Sequence, residues 1–371
     1  STDEDEVVVP LSKQTRRPLD TALRQQRVEA WYPILDPWWV IGSFLAIAAI
    51  FIPVGLTMNH LSNSVAQLVQ QYDAFDKPHK DCGINTTANA KTNCTITFTA
   101  LKDMEPPILV HYEIENFYQN HRQYYRSRDN YQLYGSLTQD SLSAQLCEPL
   151  NFLGGKKINP CGLMANTFFN DIIELQSGLD DQGNDLTMIE KGIAWQSDIA
   201  YKFRQPNGFK AEICPQNESC CAGAEWSCTV YNGQLHRYFY PEDNTTQYLY
   251  ETYPDIINPV EGVTNEHFIV WMRAAALPKF RKLYGWINQR ITARSNFSFN
   301  IVNNWEVTSF DGRKSLVVST TNIFGGKNDW AGPFFVAVGV FCAVCGVFFA
   351  AKQLIRPRKT ADKQYLQYKG D

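Results

Sequence analysis

The sequence lacks the short motifs that mark the commonest nucleotide-binding and catalytic sites. It contains no G-x-x-x-x-G-K-[ST] phosphate loop, no H-E-x-x-H zinc motif, no G-x-S-x-G nucleophile elbow and no dinucleotide fingerprint after a strand. Its six histidines are scattered without the spacing of metal ligands. We therefore predict no catalytic residue, no metal and no cofactor, and expect only attached glycans as non-protein groups.

The chain also lacks a strong excess of charge of either sign. Its 34 lysines and arginines against 38 aspartates and glutamates give a formal net charge of −4. A nucleic-acid-binding domain, or a basic coat for a membrane surface, carries a clustered positive excess. The composition therefore predicts no nucleic-acid partner.

Ionisable side chains are missing entirely from two long apolar stretches, residues 38–58 and 331–351. Each is about 21 residues long, which at about 1.5 Å per residue matches the roughly 30 Å hydrocarbon core of a bilayer. The polar segment before the first stretch is too long for a cleaved signal peptide. The sequence predicts two transmembrane helices, which separate an N-terminal tail (1–37), a large central domain (59–330) and a C-terminal tail (352–371).

Basic residues flank both stretches on the sides that face away from the central domain. They are Arg16, Arg17, Arg24 and Arg27 before the first stretch and Lys352, Arg356, Arg358 and Lys359 after the second. Because cytoplasmic flanks carry an excess of lysine and arginine, both tails are predicted to be cytosolic. The central domain is then lumenal or extracellular, in the endoplasmic reticulum, the Golgi or endosomes, or the plasma membrane.

The central domain carries two chemical marks of the secretory pathway. Glycosylation acceptors of the form Asn-x-Ser/Thr occur there and in neither tail, at Asn85, Asn93, Asn217, Asn244 and Asn296. Eight of the ten cysteines also lie there, which is typical of disulfides in an oxidising compartment. They are Cys82, Cys94, Cys147, Cys161, Cys214, Cys220, Cys221 and Cys228.

Spacing favours some cysteine pairings over others. Cys82 with Cys94 and Cys147 with Cys161 would close short loops, and we favour both pairs. In the cluster from Cys214 to Cys228, two consecutive or crossed disulfides are favoured over pairing the outer two, which would leave two adjacent cysteines free or in a strained ring. A zinc site is the alternative for this cluster, although clean C-x-x-C pairs are missing.

Short alternating segments predict strands in the central domain. In residues 109–115, Val110, Tyr112 and Ile114 fall on one face and polar residues on the other. Frequent turn residues between such segments predict a mainly antiparallel, β-sandwich-like domain with long insertions. Residues 265–287 are interpreted as a core strand that breaks at Pro278, followed by a basic turn or short helix, with a partner-facing surface as the alternative.

Two further groups of residues suggest contacts, one with another helix and one with aromatic rings, lipid or a partner protein. Gly339 and Ala343 form a small-xxx-small step in the second apolar stretch, which would let another helix approach closely. Arg122, Arg126 and Arg128 lie among tyrosines. We favour arginines stacked on aromatic rings there, with a site for lipid phosphate or for an acidic loop of a partner as the alternative.

Six ordered blocks of the sequence resemble the Cdc-fifty family, the accessory β-subunits of type IV P-type ATPases, which are phospholipid flippases. The blocks are RRPLDTALRQQRVEAWYP before the first span, NFYQNHRQYYRSR (116–128), INPCGLMANTFFND (158–171), GIAWQSDIAYKF (192–203), NEHFIVWMRAAALPKFRKLYG (265–285) and GGKNDWAGP before the second span. The resemblance therefore runs nearly from end to end.

The resemblance implies a non-catalytic subunit that forms a heterodimer with the ATPase in a membrane. Such a subunit is needed for folding of the ATPase, for its export from the endoplasmic reticulum and for lipid transport toward the cytosolic leaflet. On this basis Arg16, Arg17, Arg24 and Arg27 would bind acidic cytosolic surface of the pump, while Gly339 and Ala343 would permit helix contact. The alternatives are a two-span receptor or adhesion ectodomain without a pump, and an ectoenzyme with an unrecognised site.

Overall fold

The structure is a computed structural model that describes residues 21–24, 26, 28, 36–74, 82–84, 91–137, 145–215, 218–221 and 226–357. The chain divides into two compact units, one made of residues 1–56 and 333–371 and the other of residues 57–332. The helices that lie wholly within the described residues are α1 (Pro37–Ser64), α2 (Arg122–Arg126), α3 (Asn130–Leu133), α4 (Leu163–Asn166), α5 (Gln196–Tyr201), α6 (Leu249–Thr252), α7 (Glu266–Met272) and α8 (Ala331–Ile355), with 3-10 turns at Glu218–Cys221, Gly262–Thr264 and Thr308–Phe310.

Two of these helices, α1 and α8, are long and apolar enough to cross a membrane. Their mean hydropathies are 2.3 and 2.6. The protein is thus a membrane protein with two spans, as the two uncharged stretches predict. Both helices continue beyond the apolar stretches, α1 to Ser64 and α8 to Ile355.

The second unit is built mainly from antiparallel strands. These are β1 (Gln67–Ala74), β2 (Thr92–Thr99), β3 (Ile108–Glu115), β4 (Phe152–Leu153), β5 (Lys156–Asn159), β6 (Ile172–Ser177), β7 (Met188–Ile189), β8 (Lys210–Ile213), β9 (Ser227–Tyr231), β10 (Gln234–Phe239), β11 (Thr246–Tyr248), β12 (Phe280–Ile287), β13 (Asn296–Asn303) and β14 (Arg313–Ser319). They form one five-stranded sheet in the order β1-β14-β3-β12-β7 and three-stranded sheets β2-β13-β6, β8-β10-β9 and β11-β5-β4. Apart from the parallel pair β11 and β5, the registered strand pairs are antiparallel.

One apolar core joins the five-stranded sheet to the sheet β2-β13-β6. Val110 and Tyr112 from β3 and Phe299 from β13 are all buried in it. Tyr112 stacks on Phe169 with ring centroids 3.8 Å apart. The alternation predicted for residues 109–115 is confirmed, because strands with one face on a core alternate apolar and polar side chains.

The prediction for residues 265–287 is wrong in the order of its elements. The segment folds as helix α7 followed by strand β12, whereas the apolar run suggested a strand first. Asn265 begins the helix, since its side chain accepts a hydrogen bond from the backbone N–H of Phe268 at 3.2 Å, as preferred N-cap residues do. The residues after Pro278 then alternate between the core and the opposite face in β12.

The face of the central strands opposite the core carries charged side chains that pair with one another and are partly shielded from solvent. Glu113 is only 3% exposed and binds Arg281 at 2.6 Å and Lys279 at 3.2 Å. Next to it, burial together with the charge of Arg281 lowers the pKa of His111 from 6.5 to about 4. Among the described residues, His111 Nδ1 has no hydrogen-bond partner.

We expect His111 to make the stability of this unit fall in mild acid. Between about pH 6.5 and pH 4 the unfolded chain binds a proton at His111 that the folded chain does not, so stability decreases as pH falls through this window, by up to about 1.4 kcal/mol per pH unit. Melting temperatures recorded from pH 7.5 to pH 4 measure the slope. His111→Asn should flatten it, and His121→Asn, at an exposed position, should leave it unchanged. An unchanged slope in His111→Asn would contradict the assignment.

Candidate partner-binding surfaces

Glycines bring the two membrane helices into close contact within the first unit. A Cβ atom on Gly339 would lie 2.7 Å from Ile52 Cγ1 and 3.1 Å from the Ile52 backbone nitrogen. One on Gly346 would lie 2.9 Å from Leu45 Cδ2. Real Cβ atoms need more room than this, so α1 and α8 can approach so closely only because both positions of α8 are glycine.

The close approach predicted at Gly339 is made here by α1 of the same chain, and contact of Gly339 with a helix of a partner stays a prediction. The small residues that matter are seven apart, Gly339 and Gly346, rather than four apart. A repeat of seven residues keeps one seam of a helix facing its neighbour. Gly346 was missed, and this spacing was the signal that could have found it. Contact of Ala343 with a partner stays a prediction.

We expect Gly339→Leu to destabilise the helix pair by about 1–3 kcal/mol, which is the usual cost of overpacking a close contact. Val340→Leu is the matched control, since Val340 is an exposed neighbour on the same helix. Thermal unfolding of the full-length chain in mild detergent measures both variants. Equal melting temperatures for the two would contradict a close contact at Gly339.

A cleft of about 780 Å³ opens on the β-rich unit between α3, α5 and α7. Its lining includes Tyr125, Arg128, Tyr131, Tyr134, Asp198, Tyr201, Lys202 and Arg273. Arg128 lies 4.4 Å from the ring centroid of Tyr125. The arginine stacking that we favour from the sequence is thus confirmed for Arg128, and Arg122 and Arg126 are not part of the lining described for this cleft.

The charges of this cleft are mostly positive. Asp198 binds Lys202 at 2.6 Å and Arg273 at 2.7 Å. Burial by itself raises the pKa of Asp198, but these hydrogen bonds and charges outweigh it and lower the pKa below its ordinary value. The carboxylate of Asp198 is therefore shared by two cations. Arg128 brings a further positive charge to the lining of the cleft. Such a cleft fits acidic groups of a partner, with the tyrosines providing apolar contact.

A second, smaller cleft of about 310 Å³ has the opposite charge. Its lining includes Glu174, Glu190, Lys191, Asp255, Glu261, Glu266 and His267. Several of these carboxylates already have partners: Glu266 accepts hydrogen bonds from the backbone of Gly192 and Ala194, each at 3.0 Å. Glu261 binds Lys191. The two clefts thus give one unit surfaces of opposite charge, which suits recognition of a partner's loops by charge.

Apart from the two clefts, a cluster of polar side chains around Lys314 lies inside the core. Lys314 is fully buried and its Nζ donates to Asp171 Oδ2 at 2.7 Å, to Asn303 Oδ1 and to the carbonyl of Trp305. Asp171 also accepts from Tyr72 Oη at 2.8 Å. Because these side chains have essentially no solvent contact and the ammonium group has three hydrogen-bond partners within the core, we assign the group a structural role. No short motif predicts this group, since its residues are far apart in the sequence.

The cysteines of the β-rich unit form four disulfides: Cys82–Cys94, Cys147–Cys161, Cys214–Cys220 and Cys221–Cys228. The first two are the predicted pairs. The last two are consecutive, one of the two arrangements left open by the sequence. The sulfurs of Cys214, Cys221 and Cys228 lie within 4.8 Å of one another. They are oxidised, however, and zinc binding requires thiolates, so the zinc alternative does not fit this arrangement.

The remaining predicted positions lie at the surface or outside the described residues. Asn93, Asn244 and Asn296 are exposed, and so is Arg24. Asn93 belongs to β2, Asn244 to a turn and Asn296 to the start of β13. The other predicted positions, Asn85, Asn217, Arg16, Arg17 and Arg27, fall outside the described residues.

Comparison with known proteins gives one consistent result. The family model described as LEM3 (ligand-effect modulator 3) family / CDC50 family matches residues 58–359. Cell cycle control protein 50A of Mus musculus is 36% identical over 90% of this chain and 88% of its own length. ALA-interacting subunit 3 of Arabidopsis thaliana is 34% identical over 96% and 92%. Phospholipid-transporting ATPase accessory subunit CDC50 of Chaetomium thermophilum is 29% identical over 95% and 91%.

The matched range begins in the last turns of α1, includes nearly the whole β-rich unit and continues through α8. It therefore covers the disulfide-bonded domain and the second membrane helix, and the relatives that match 90% and 96% of the chain extend the similarity beyond this range. The resemblance noted in the sequence is confirmed, and the chain belongs to the LEM3/CDC50 family.

Proposed function

We propose that this chain is the non-catalytic accessory subunit of a P-type ATPase that transports phospholipids. The observation that carries the proposal is the family match over residues 58–359, which covers the β-rich unit and α8 in one architecture. A relative similar over 95% of the chain is named as such an accessory subunit. The chain itself supplies no recognised nucleotide site, so ATP hydrolysis belongs to the partner.

The accessory chain acts by holding its partner at several levels. The exposed faces of α1 and α8 offer apolar surface within the membrane. The basic and the acidic clefts offer charged surface on the β-rich unit, and Arg16, Arg17, Arg24 and Arg27 offer positive charge in the N-terminal tail. A subunit that binds one conformation of the pump more tightly than another shifts its population by that difference in affinity. In this way the chain supports the folding, export and transport cycle of the ATPase.

The topology follows from the same proposal. The basic flanks support a cytosolic position for both tails, with the β-rich unit in the lumen or outside the cell. Exposure of Asn93, Asn244 and Asn296 supports N-glycosylation at these sites, with Asn85 and Asn217 as further acceptors. The endoplasmic reticulum, the Golgi or endosomes, and the plasma membrane are the compartments in which such a complex would be made and used.

Co-purification and a lipid-dependent ATPase assay test the function directly. Full-length chain isolated in mild detergent is expected to carry a large membrane ATPase with it, and ATP hydrolysis stimulated by phospholipid should require the chain. Isolation of the chain without any ATPase would favour a receptor or adhesion protein. Substrate turnover by the chain alone, without a pump, would favour an ectoenzyme. Either outcome would contradict the proposal.

A further inference from the structure

The segment between β14 and α8 exposes apolar side chains at a place where turns are normally polar. Ile323 is 93% exposed, Phe324 62% and Trp330 83%. Turn tips usually carry glycine, asparagine, aspartate or serine, because these residues suit the backbone and the surrounding water. Two large apolar residues at such a tip therefore indicate contact with something other than water.

The turn is held rigidly by its own hydrogen bonds. Asn322 and Gly325 exchange two backbone hydrogen bonds, each 2.9 Å long. The Asn322 side chain also accepts from the backbone N–H of Phe324 at 2.9 Å. Gly325 has a φ of 98°, which glycine adopts without strain. Ile323 and Phe324 thus occupy the tip of a closed turn, and moving their side chains away from the surface would break these hydrogen bonds.

Further hydrogen bonds fix this segment to the last turn of α1. The Asn322 side chain donates to the carbonyl of Leu61 at 2.7 Å. Ser62 Oγ donates to the carbonyl of Asn328 at 2.9 Å and accepts from the Asn328 N–H at 3.0 Å. The start of α8 meets the same end of α1, since a Cβ on Gly332 would lie 2.8 Å from the Asn59 nitrogen.

These contacts set the depth of the turn relative to the bilayer. The uncharged stretch of α1 ends at residue 58, and Leu61 lies about 4.5 Å farther along the helix axis at 1.5 Å per residue. The headgroup region of a bilayer extends roughly 5–7 Å beyond the hydrocarbon core on each side. Asn322 is therefore anchored at headgroup level. Trp330 lies at the same boundary, directly before the apolar run of α8, where tryptophan is enriched.

We infer that the Ile323–Phe324 turn and Trp330 insert into the headgroup and upper acyl region of the leaflet on the side of the β-rich unit. The chemistry favours lipid over a protein partner. Residues 320–326 contain no ionisable side chain, and the nearest charges, Lys327 and Asp329, pair with each other at 3.6 Å. A neutral apolar tip at this depth partitions into the membrane interface.

Spin labels on the full-length chain test this insertion. In a background with Cys342→Ala and Cys345→Ala, single labels are placed by Ile323→Cys or Phe324→Cys, and the chain with its co-purified ATPase is reconstituted in phosphatidylcholine–phosphatidylserine nanodiscs. Collision rates with oxygen, which concentrates in the bilayer, and with a water-soluble nickel chelate are then measured. Val230→Cys provides an aqueous reference on β9, and Phe341→Cys a reference within α8; both positions are exposed.

The oxygen-to-nickel ratio at Ile323 and Phe324 is expected to exceed that of Val230 several-fold and to approach that of Phe341. A ratio equal to that of Val230 would place the turn in water and overturn the inference. Protection from both reagents would mean that protein covers the turn, which would also overturn it. The Phe341 label distinguishes failure of this inference from failure of the two-span arrangement. A low oxygen-to-nickel ratio at Phe341 would contradict the two-span arrangement as well, whereas a high ratio would leave that arrangement intact.

Discussion

Lys314→Met is expected to destabilise the β-rich unit by about 3–5 kcal/mol, the usual cost of removing one partner of a buried ion pair. Asp171 would lose the ammonium group 2.7 Å away, and Asp73 would lose the same positive charge at 3.7 Å. All three side chains are essentially without solvent contact. Two carboxylates would then remain together inside an apolar core, where an unpaired charge is very costly.

The pH dependence of the stability lost in Lys314→Met gives a second measurement. Burial already raises the pKa of Asp73, although Lys314 and Asn303 act in the opposite direction. Without the lysine, the buried Asp73 carboxylate takes up a proton more readily, so the deficit of Lys314→Met should be smaller at pH 5 than at pH 8. Asp171→Asn added to Lys314→Met should recover part of the loss at pH 8, because one buried charge is removed.

Thermal unfolding of the full-length chain in detergent measures these variants, with a decrease in melting temperature on the order of 10 °C expected for Lys314→Met. Lys91→Met is the matched control, because its ion pair with Asp255 is largely exposed and such pairs contribute about 0–1 kcal/mol. A melting temperature of Lys314→Met that equals the control would contradict the structural role assigned to the buried lysine.

Trp271→Ala is expected to lower the free energy of unfolding of the β-rich unit by a similar amount, about 3–5 kcal/mol, because truncating a large aromatic side chain in a core usually has this effect. Trp271 is fully buried in α7. Its ring lies 5.8 Å from that of Phe117 and 5.7 Å from that of Trp305. Its indole N–H donates to the carbonyl of Met164 at 2.9 Å. The variant would leave a cavity in this aromatic cluster and an unsatisfied carbonyl at α4.

The chain offers a matched tryptophan for comparison. Trp195 is 66% exposed and contacts Arg273, whose guanidinium carbon lies 5.0 Å from its ring centroid. Trp195→Ala should change the melting temperature little, since an exposed cation–π contact is worth about 0.5–1 kcal/mol. Co-purification of the ATPase should fall in Trp271→Ala together with stability. Equal stability of the two tryptophan variants would refute the core assignment of Trp271.

Local features of the sequence were sufficient for several predictions. Two uncharged stretches of about 21 residues identify membrane helices because bilayer thickness alone sets that length. Cys82 with Cys94 and Cys147 with Cys161 could be paired because each pair is close in sequence. The strand at residues 109–115 could be recognised from its alternation, a period set by the backbone itself.

Other features depended on residues far apart in the chain. The order of α7 and β12 was wrong because a short apolar run fits either element, and only the Asn265 cap and the packing of Trp271 decide it. Gly339 could be identified as a close-contact residue, but not the helix that it contacts. For the cysteine cluster after Cys214, the sequence left both consecutive and crossed pairings open.

Length, periodicity and local motifs were enough to predict a protein that crosses a membrane twice, carries a disulfide-bonded β domain and resembles flippase accessory subunits. Three contacts became visible only in the folded chain: α1 packs against Gly339, Lys314 meets Asp171 across 143 residues, and Asn322 holds an apolar turn against the end of α1. Such contacts depend on how distant segments meet in space, which no local pattern records.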